Sequence, residues 1–254
     1  MIALLFIKLL CYYPRVNYQT VKQPINQSPK QDYQKQLEQV LQSVSPNEPD
    51  GKPSLLLHAC CAPCSSYVLE YLSVYFNITI YYYNPNIFPP QEYTRRLEEL
   101  KSFLPRFIPA SENKVSLVQA EYIPEDFYQE TNARNEPELQ TEAEKGERCR
   151  RCYRLRMKTS YDYACSHGFD YFTTTLSISP HKDAEKINAI GRELEKLGST
   201  RFLPSDFKKK NGYLRSLQLS KEYGLYRQDY CGCVYSKQNT EKERKEKHGT
   251  ISNS

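Results

Sequence analysis

The sequence predicts an α/β fold, a parallel sheet with helices on both faces, and three observations carry that expectation. From Ser54 to Gly198, short apolar or β-branched runs alternate with longer stretches of helical periodicity. Strands alternating with helices imply a parallel sheet joined by helical crossovers. The first run, Leu55-Leu56-Leu57, reads as a short buried strand, and it breaks at Cys60-Cys61 into a helix opened by Pro63. A chain of 254 residues has room for one large domain with extensions and can bury a core without staples. The expected layout is a leader over 1–52, a single domain over 53–237 and a disordered charged tail over 238–254.

The elements follow in chain order. Met1 to Leu10 is apolar but too short to span a bilayer. It lacks the basic flank and cleavage site of a signal peptide. Gln19 to Lys52, rich in Gln, Pro, Ser and Asn, reads as an extended leader with one short helix, Tyr33 to Val44. After the first strand, Val68, Leu69, Leu72 and Phe76 give a helix over Ser65 to Phe76. Ile78 to Tyr83 is a second strand ended by the turn Asn84-Pro85-Asn86. Leu97, Leu100 and Leu104 mark a helix from Gln91 to Leu104, and Val115 to Val118 a third strand. Pro124 opens a short helix, and Glu136 to Gly146 looks like an exposed acidic loop. Arg148 to Ala164 is a basic helix, Phe169 to Leu176 a fourth strand. Ala184, Ile187, Ile190, Leu194 and Leu197 form an amphipathic helix stopped at Gly198. Beyond Gln238 the chain is charged with no apolar face, which predicts disorder.

The cysteines carry the chemistry. Nine is an odd number: a triple (Cys60, Cys61, Cys64), a C-x-x-C (Cys149, Cys152), a C-x-C (Cys231, Cys233) and two singles, Cys11 and Cys165. Such clusters favour metal or redox chemistry over a disulfide framework. Adjacent cysteines rarely bridge each other, so Cys60 and Cys61 suit a metal; buried structural thiols are the plainer alternative. They sit on a strand-to-helix turn, the end of an open α/β sheet where ligands bind. Cys149 and Cys152 share a helix face, and the arginines beside them should lower their pKa values toward thiolate. That pair could be a redox dithiol, half a zinc site or two ligands of an iron–sulfur cluster. With Cys60 and Cys61 it makes four thiolates, enough for a cluster or a closed zinc site; Cys64 is a further possible ligand. Cys231-Gly232-Cys233 would close a small, strained and easily reduced ring, or supply two more metal ligands.

Net charge is +5, which permits a nucleic-acid partner without demanding one. Lys208, Lys209, Lys210, Arg215 and Arg227 form a basic segment interleaved with Tyr213, Tyr223, Tyr226 and Tyr230. Lysines on phosphates with tyrosines stacked on unpaired bases would hold a single-stranded RNA loop. A solvated charged face is the plainer alternative.

Taken together, several blocks resemble one family, the cobalamin-independent iron–sulfur epoxyqueuosine reductases. They are Leu55 to Cys64, Tyr83 to Ile87, Glu147 to Cys152, Thr173 to Asp183, Ser205 to Lys210 and Tyr226 to Cys233, in the family's order across Ser54 to Ser236. The resemblance implies reduction of epoxyqueuosine to queuosine at the wobble base of transfer RNA, in the cytoplasm, with an unidentified electron donor and no membrane. It implies a four-iron, four-sulfur (4Fe-4S) cluster on Cys60, Cys61, Cys149 and Cys152, and a redox-active disulfide Cys231–Cys233. The implied fold is Rossmann-like, of the HUP or nucleotide-hydrolase type. A further metal ion or an acid would assist the departing oxygen; His58, His181, Asp183 and Asp229 are the proton-donor or supporting candidates. Two rivals remain: a transfer-RNA-binding module stapled by zinc, and an iron–sulfur sulfur-transferase. The second would want a Gly-rich ATP loop after the first strand, and Ala62-Pro63-Cys64 offers none.

Overall fold

The computed structural model describes residues 31–44 and 51–251. The apolar N-terminal stretch and Cys11 lie outside the described residues. Five parallel strands form one sheet: β1 (Ser54–His58), β2 (Asn77–Tyr82), β3 (Ser116–Gln119), β4 (Tyr171–Thr174) and β5 (Arg201–Phe202), in the order β3-β2-β1-β4-β5. The helices are α1 (Tyr33–Ser43), α2 (Ala62–Leu72), α3 (Pro90–Phe103), α4 (Ile108–Glu112), α5 (Pro124–Thr131), α6 (Pro137–Thr141), α7 (Glu147–Ser166), α8 (Ala184–Glu195), α9 (Gly212–Glu222) and α10 (Val234–Ile251). The predicted class, a parallel sheet in an α/β fold, is the one observed.

β1 shows why both faces must be covered. Successive residues of a strand point to opposite faces. Leu55 and Leu57 pack with Val68, Leu69 and Leu72 of α2 and Leu97 and Leu100 of α3. Leu56, between them, packs with Tyr153 and Met157 of α7 and Ile187, Ile190 and Leu194 of α8. All three leucines are fully buried.

β1 pairs with β2 on one side, up to His58↔Tyr81, and with β4 on the other, up to His58↔Thr174. From β1 the chain runs outward through β2 to β3, then crosses back to β4. That reversal opens a crevice at the carboxyl ends of β1 and β4, the usual ligand site of such sheets.

Several local outcomes differ from or refine the sequence reading, among them α4 and α9, for which no helix was expected. The leader helix is present as α1, capped by Asp32, whose carboxylate accepts from the backbone N–H groups of Gln34 and Lys35. β5 was not predicted, because two residues are too few to show a period. The acidic loop contains the short helix α6. The segment expected to be disordered forms most of α10. Its Lys, Glu and Arg content favours helix without an apolar face, Lys237 and Glu241 pair one turn apart, and Arg244 ties the helix to Asp229.

Candidate metal centre and active site

β1 ends at His58, and the next residues turn the thiols into the crevice. His58 is wholly buried, with Nδ1 2.7 Å from Thr174 Oγ1 and Nε2 3.2 Å from the Tyr83 carbonyl. A carbonyl only accepts, so Nε2 carries the proton and Nδ1 accepts from the Thr174 hydroxyl. Burial, reinforced by the Arg156 charge, lowers the pKa of His58 to about 3. His58 therefore acts as a neutral tie between β1 and its neighbours. Its folded pKa lies below its unfolded value, so its contribution is complete above about pH 6.5 and is lost as the pH falls toward 3. Urea unfolding at pH 5 should show about 2 kcal/mol lost through this group. His58→Gln should flatten that acid limb, and an unflattened limb would place the acid sensitivity elsewhere.

Cys60, Cys61 and Cys64 bring their sulfurs within 4.8 Å of one another, a group able to hold a metal. Cys61 precedes α2 in extended conformation, and Pro63 sits in the first turn of the helix. The neighbouring thiols of Cys61 and Cys64, with the Arg156 and Arg96 charges, hold Cys60 well below the ordinary thiol range despite its burial. Burial pushes Cys61 up to about 12, and the hydrogen bond to Cys60 raises Cys64. Gln228 Nε2 donates to Cys61 Sγ at 3.2 Å.

Cys149 and Cys152 lie in the first turns of α7, both buried. Here the sequence expectation is corrected. Burial raises the Cys149 thiol and takes Cys152 up to about 11. Of the arginines expected to lower them, Arg148 is buried and donates to the carbonyls of Leu139, Gln140 and Glu142, and Arg150 and Arg151 turn to carboxylates. Arg150 pairs with Glu147 at 2.7 Å, and Arg151 with Glu136 at 2.7 Å and Glu147 at 3.0 Å. The arginine that faces the thiols of Cys152 and Cys60 is Arg156, one turn beyond Cys152, which donates to Asn84 Oδ1 at 2.6 Å. It links the two cysteine groups, although Cys149 and Cys152 stand outside the 4.8 Å group.

The C-x-C adjoins the same centre. Lys182, buried, contacts Cys231 Sγ. Cys233 Sγ accepts from the Ser236 N–H at 3.4 Å. Gly232 has φ +130°, a conformation that favours glycine, and a Cβ there would lie 3.2 Å from Arg96 Nη1 and 3.3 Å from Asn86 Nδ2. A cavity of about 820 Å³ opens over the centre, with Cys60, Cys64, Lys182 and Cys231 in its wall.

The donor set fits an anionic metal cluster. Arg96, Arg156 and Lys182 are all buried, and Glu92, paired with Arg96 at 2.7 Å, is the carboxylate that directly answers one of them. The donors Arg96 Nη2, Arg156 Nε and Asn86 Nδ2 have no hydrogen-bond partner. Buried cations and donors left unpaired cost several kcal/mol; thiolates and sulfides of a cluster would accept from them. A neutral, zinc-free thiol core would not.

Comparison with known proteins decides the family. The family profile described as "Epoxyqueuosine reductase QueH" matches residues 55–239. The chain belongs to this family. Epoxyqueuosine reductase QueH of Streptococcus pyogenes serotype M1 is 44% identical over 185 residues, covering 73% of this chain and 71% of that protein. The Staphylococcus epidermidis enzyme is 40% identical over 208 residues, covering 82% and 85%, and that of Haemophilus influenzae 38% over 200 residues, covering 78% and 77%. The chain is accordingly an oxidoreductase of the epoxyqueuosine reductase type.

For a reductase of this family, the remaining sequence candidates divide clearly. His181 and Asp229 line the cavity. Asp183 caps α8, accepting from the N–H groups of Glu185 and Lys186. Tyr213 and Arg227 line the cavity, the guanidinium 5.7 Å from the ring centre. The rest of the basic segment is largely neutralised. Lys208 pairs with Asp206 at 2.5 Å, Lys210 with Glu38, and Arg215 with Glu70 through two bonds of 2.6 and 2.9 Å; Lys209 is exposed. Sequence reasoning missed Arg96, Arg156, Lys182 and Gln228 as parts of the site. One signal was available: Cys149, Cys152 and Arg156 recur at helical spacing, so they share a face. Among the described residues no helix is long and apolar enough to cross a membrane.

Proposed function

We propose that this chain reduces epoxyqueuosine to queuosine at the wobble base of transfer RNA in the cytoplasm, through a four-iron, four-sulfur cluster and the Cys231/Cys233 pair. The observation that carries this reading is one cavity with Cys60, Cys64, Cys231 and the buried Lys182 in its wall, beside the buried Arg96 and Arg156. Cys60, Cys61, Cys149 and Cys152 would hold the cluster, with Cys64 the further possible ligand. Bound there, the cluster supplies electrons one at a time at low potential.

The reaction takes two electrons and two protons, and the epoxide oxygen leaves as water. Cys231 and Cys233 store the electron pair as a dithiol and release it on forming a disulfide. Lys182 holds a positive charge against the Cys231 sulfur; burial opposes that charge, and Cys231 and Tyr153 raise its pKa well above the ordinary lysine value. Arg96 and Arg156 fix the electrostatic field across the cysteines. His181 stands in the cavity wall as the proton-source candidate. Asp229, in the same wall, is paired with Arg244, which lowers its pKa and holds it as the carboxylate, so it supports the site rather than donating. The test is nucleoside mass spectrometry of epoxyqueuosine-bearing transfer RNA after incubation with the protein and dithionite. The expected product is lighter by one oxygen; unchanged nucleoside would contradict the assignment.

The neutralised basic segment alters what is expected of RNA binding. Arg227→Ala should weaken transfer-RNA binding and reduce the slope of log K against log salt by about one. Lys208→Ala and Arg215→Ala should leave that slope nearly unchanged, since Asp206 and Glu70 already neutralise those charges. A loss of slope in those two and none in Arg227→Ala would move the phosphate contacts back to the basic segment.

A further inference from the structure

The electron donor is unassigned, and the surroundings of the C-x-C constrain what it is and how it enters. Cys231 is half-buried and forms part of the cavity wall. Cys233 is only 6% exposed and packs among Phe127, Leu139, Cys152 and Tyr235. A disulfide is reduced by attack of a thiolate on one of its sulfurs, so access decides which sulfur reacts. Access here comes from the cavity, and the same cavity exposes Cys60 and Cys64 and is rimmed by Tyr213 and Arg227. A second cavity, about 460 Å³, lies at the amino ends of the strands between Ser54, Asn77 and Ser116 and contains no cysteine.

We propose that a small dithiol reduces the Cys231–Cys233 disulfide by entering the cavity that takes the substrate base, attacking at Cys231, so that reductant and transfer RNA exclude each other. This rests on reading Cys231 and Cys233 as the redox pair. One donor thiolate attacks Cys231 Sγ, forming a mixed disulfide and releasing the Cys233 sulfur, which the Ser236 N–H faces at the start of α10. The donor's second thiol then attacks its own sulfur in that mixed disulfide and releases Cys231 Sγ, whose charge Lys182 Nζ meets. The donor leaves as its disulfide; its two protons and two electrons stay on Cys231 and Cys233. A dithiol completes both displacements within one visit, which suits a cavity that must then be vacated. A volume of about 820 Å³ holds one small molecule or one base with its sugar, and a bound anticodon loop closes its mouth. The two substrates therefore bind in turn.

The experiment uses full-length protein with the pair oxidised and dithiothreitol as the probe. Reduction of the pair is followed by thiol trapping and mass spectrometry, with and without transfer RNA bearing queuosine, which binds but cannot turn over. With that RNA at about ten times its dissociation constant, confirmed by fluorescence anisotropy, reduction should slow about tenfold, tracking the fraction of protein left free. An unchanged rate on RNA-bound protein would overturn the shared entrance. In a second arm, Cys233→Ser protein should form a mixed disulfide with dithiobis(nitrobenzoate) at Cys231, while Cys231→Ser protein reacts far more slowly at Cys233. Equal labelling of the two would overturn the choice of Cys231. If the starting protein contains no Cys231–Cys233 disulfide, the redox-pair reading fails first, before any reductant is added.

Discussion

Cys152→Ala protein is expected to purify folded, without iron, and to convert no epoxyqueuosine. Cys152 is 6% exposed and contacts the apolar cluster of Phe127, Leu139 and Tyr235. Trimming a thiol to a methyl there removes little apolar surface and should cost on the order of 1 kcal/mol. That is too little to unfold a domain of this size. Total loss of bound iron with an unchanged circular dichroism spectrum would therefore report a lost ligand. The same outcome is expected for Cys60→Ala, Cys61→Ala and Cys149→Ala. Cys64→Ala separates the ligand set: it should keep the metal, although its sulfur lies within the 4.8 Å group of Cys60 and Cys61. If Cys64→Ala loses iron and one of the four retains it, Cys64 takes that place in the set.

The second large effect concerns the C-x-C. Cys231→Ser and Cys233→Ser should each keep the iron and the colour, yet stop reduction of the epoxide. Their sulfurs touch Lys182 and the Ser236 N–H rather than the triple, so neither change removes a proposed ligand. What each removes is the ability to hold two electrons as a dithiol. The expected result is a cluster that still bleaches with dithionite in a protein with no turnover. A double variant that still turns over would take the pair out of the chemistry, and loss of colour would make these residues ligands.

How much of this was legible in the sequence follows from where each signal resides. β1 was plain because Leu55, Leu56 and Leu57 are all apolar, and a strand covered on both faces has to be. β5 was invisible at two residues. α10 was missed because the absence of an apolar stripe was read as an absence of helix, whereas local propensity and the Arg244–Asp229 tie suffice. The thiol triple announced itself by spacing alone. The cations around it did not, because an arginine in a helix reads as surface. Arg150 and Arg151 do face outward, while Arg96 and Arg156 are buried. Part of the pairing within the basic segment was hidden for a related reason: Asp206 stands two residues from Lys208, but Glu38 and Glu70, the partners of Lys210 and Arg215, lie 172 and 145 residues away in sequence. Long-range pairing of charge leaves no local pattern to read.

The central claim is that Cys60, Cys61, Cys149 and Cys152, with Arg96 and Arg156 around them, form an anionic iron–sulfur centre. Anaerobic purification followed by iron, zinc and acid-labile sulfide analysis tests it most directly. The expected result is a brown protein with four irons and four sulfides per chain, the content of one such cluster, and a visible absorption that bleaches with dithionite. Stoichiometric zinc with no acid-labile sulfide would contradict it.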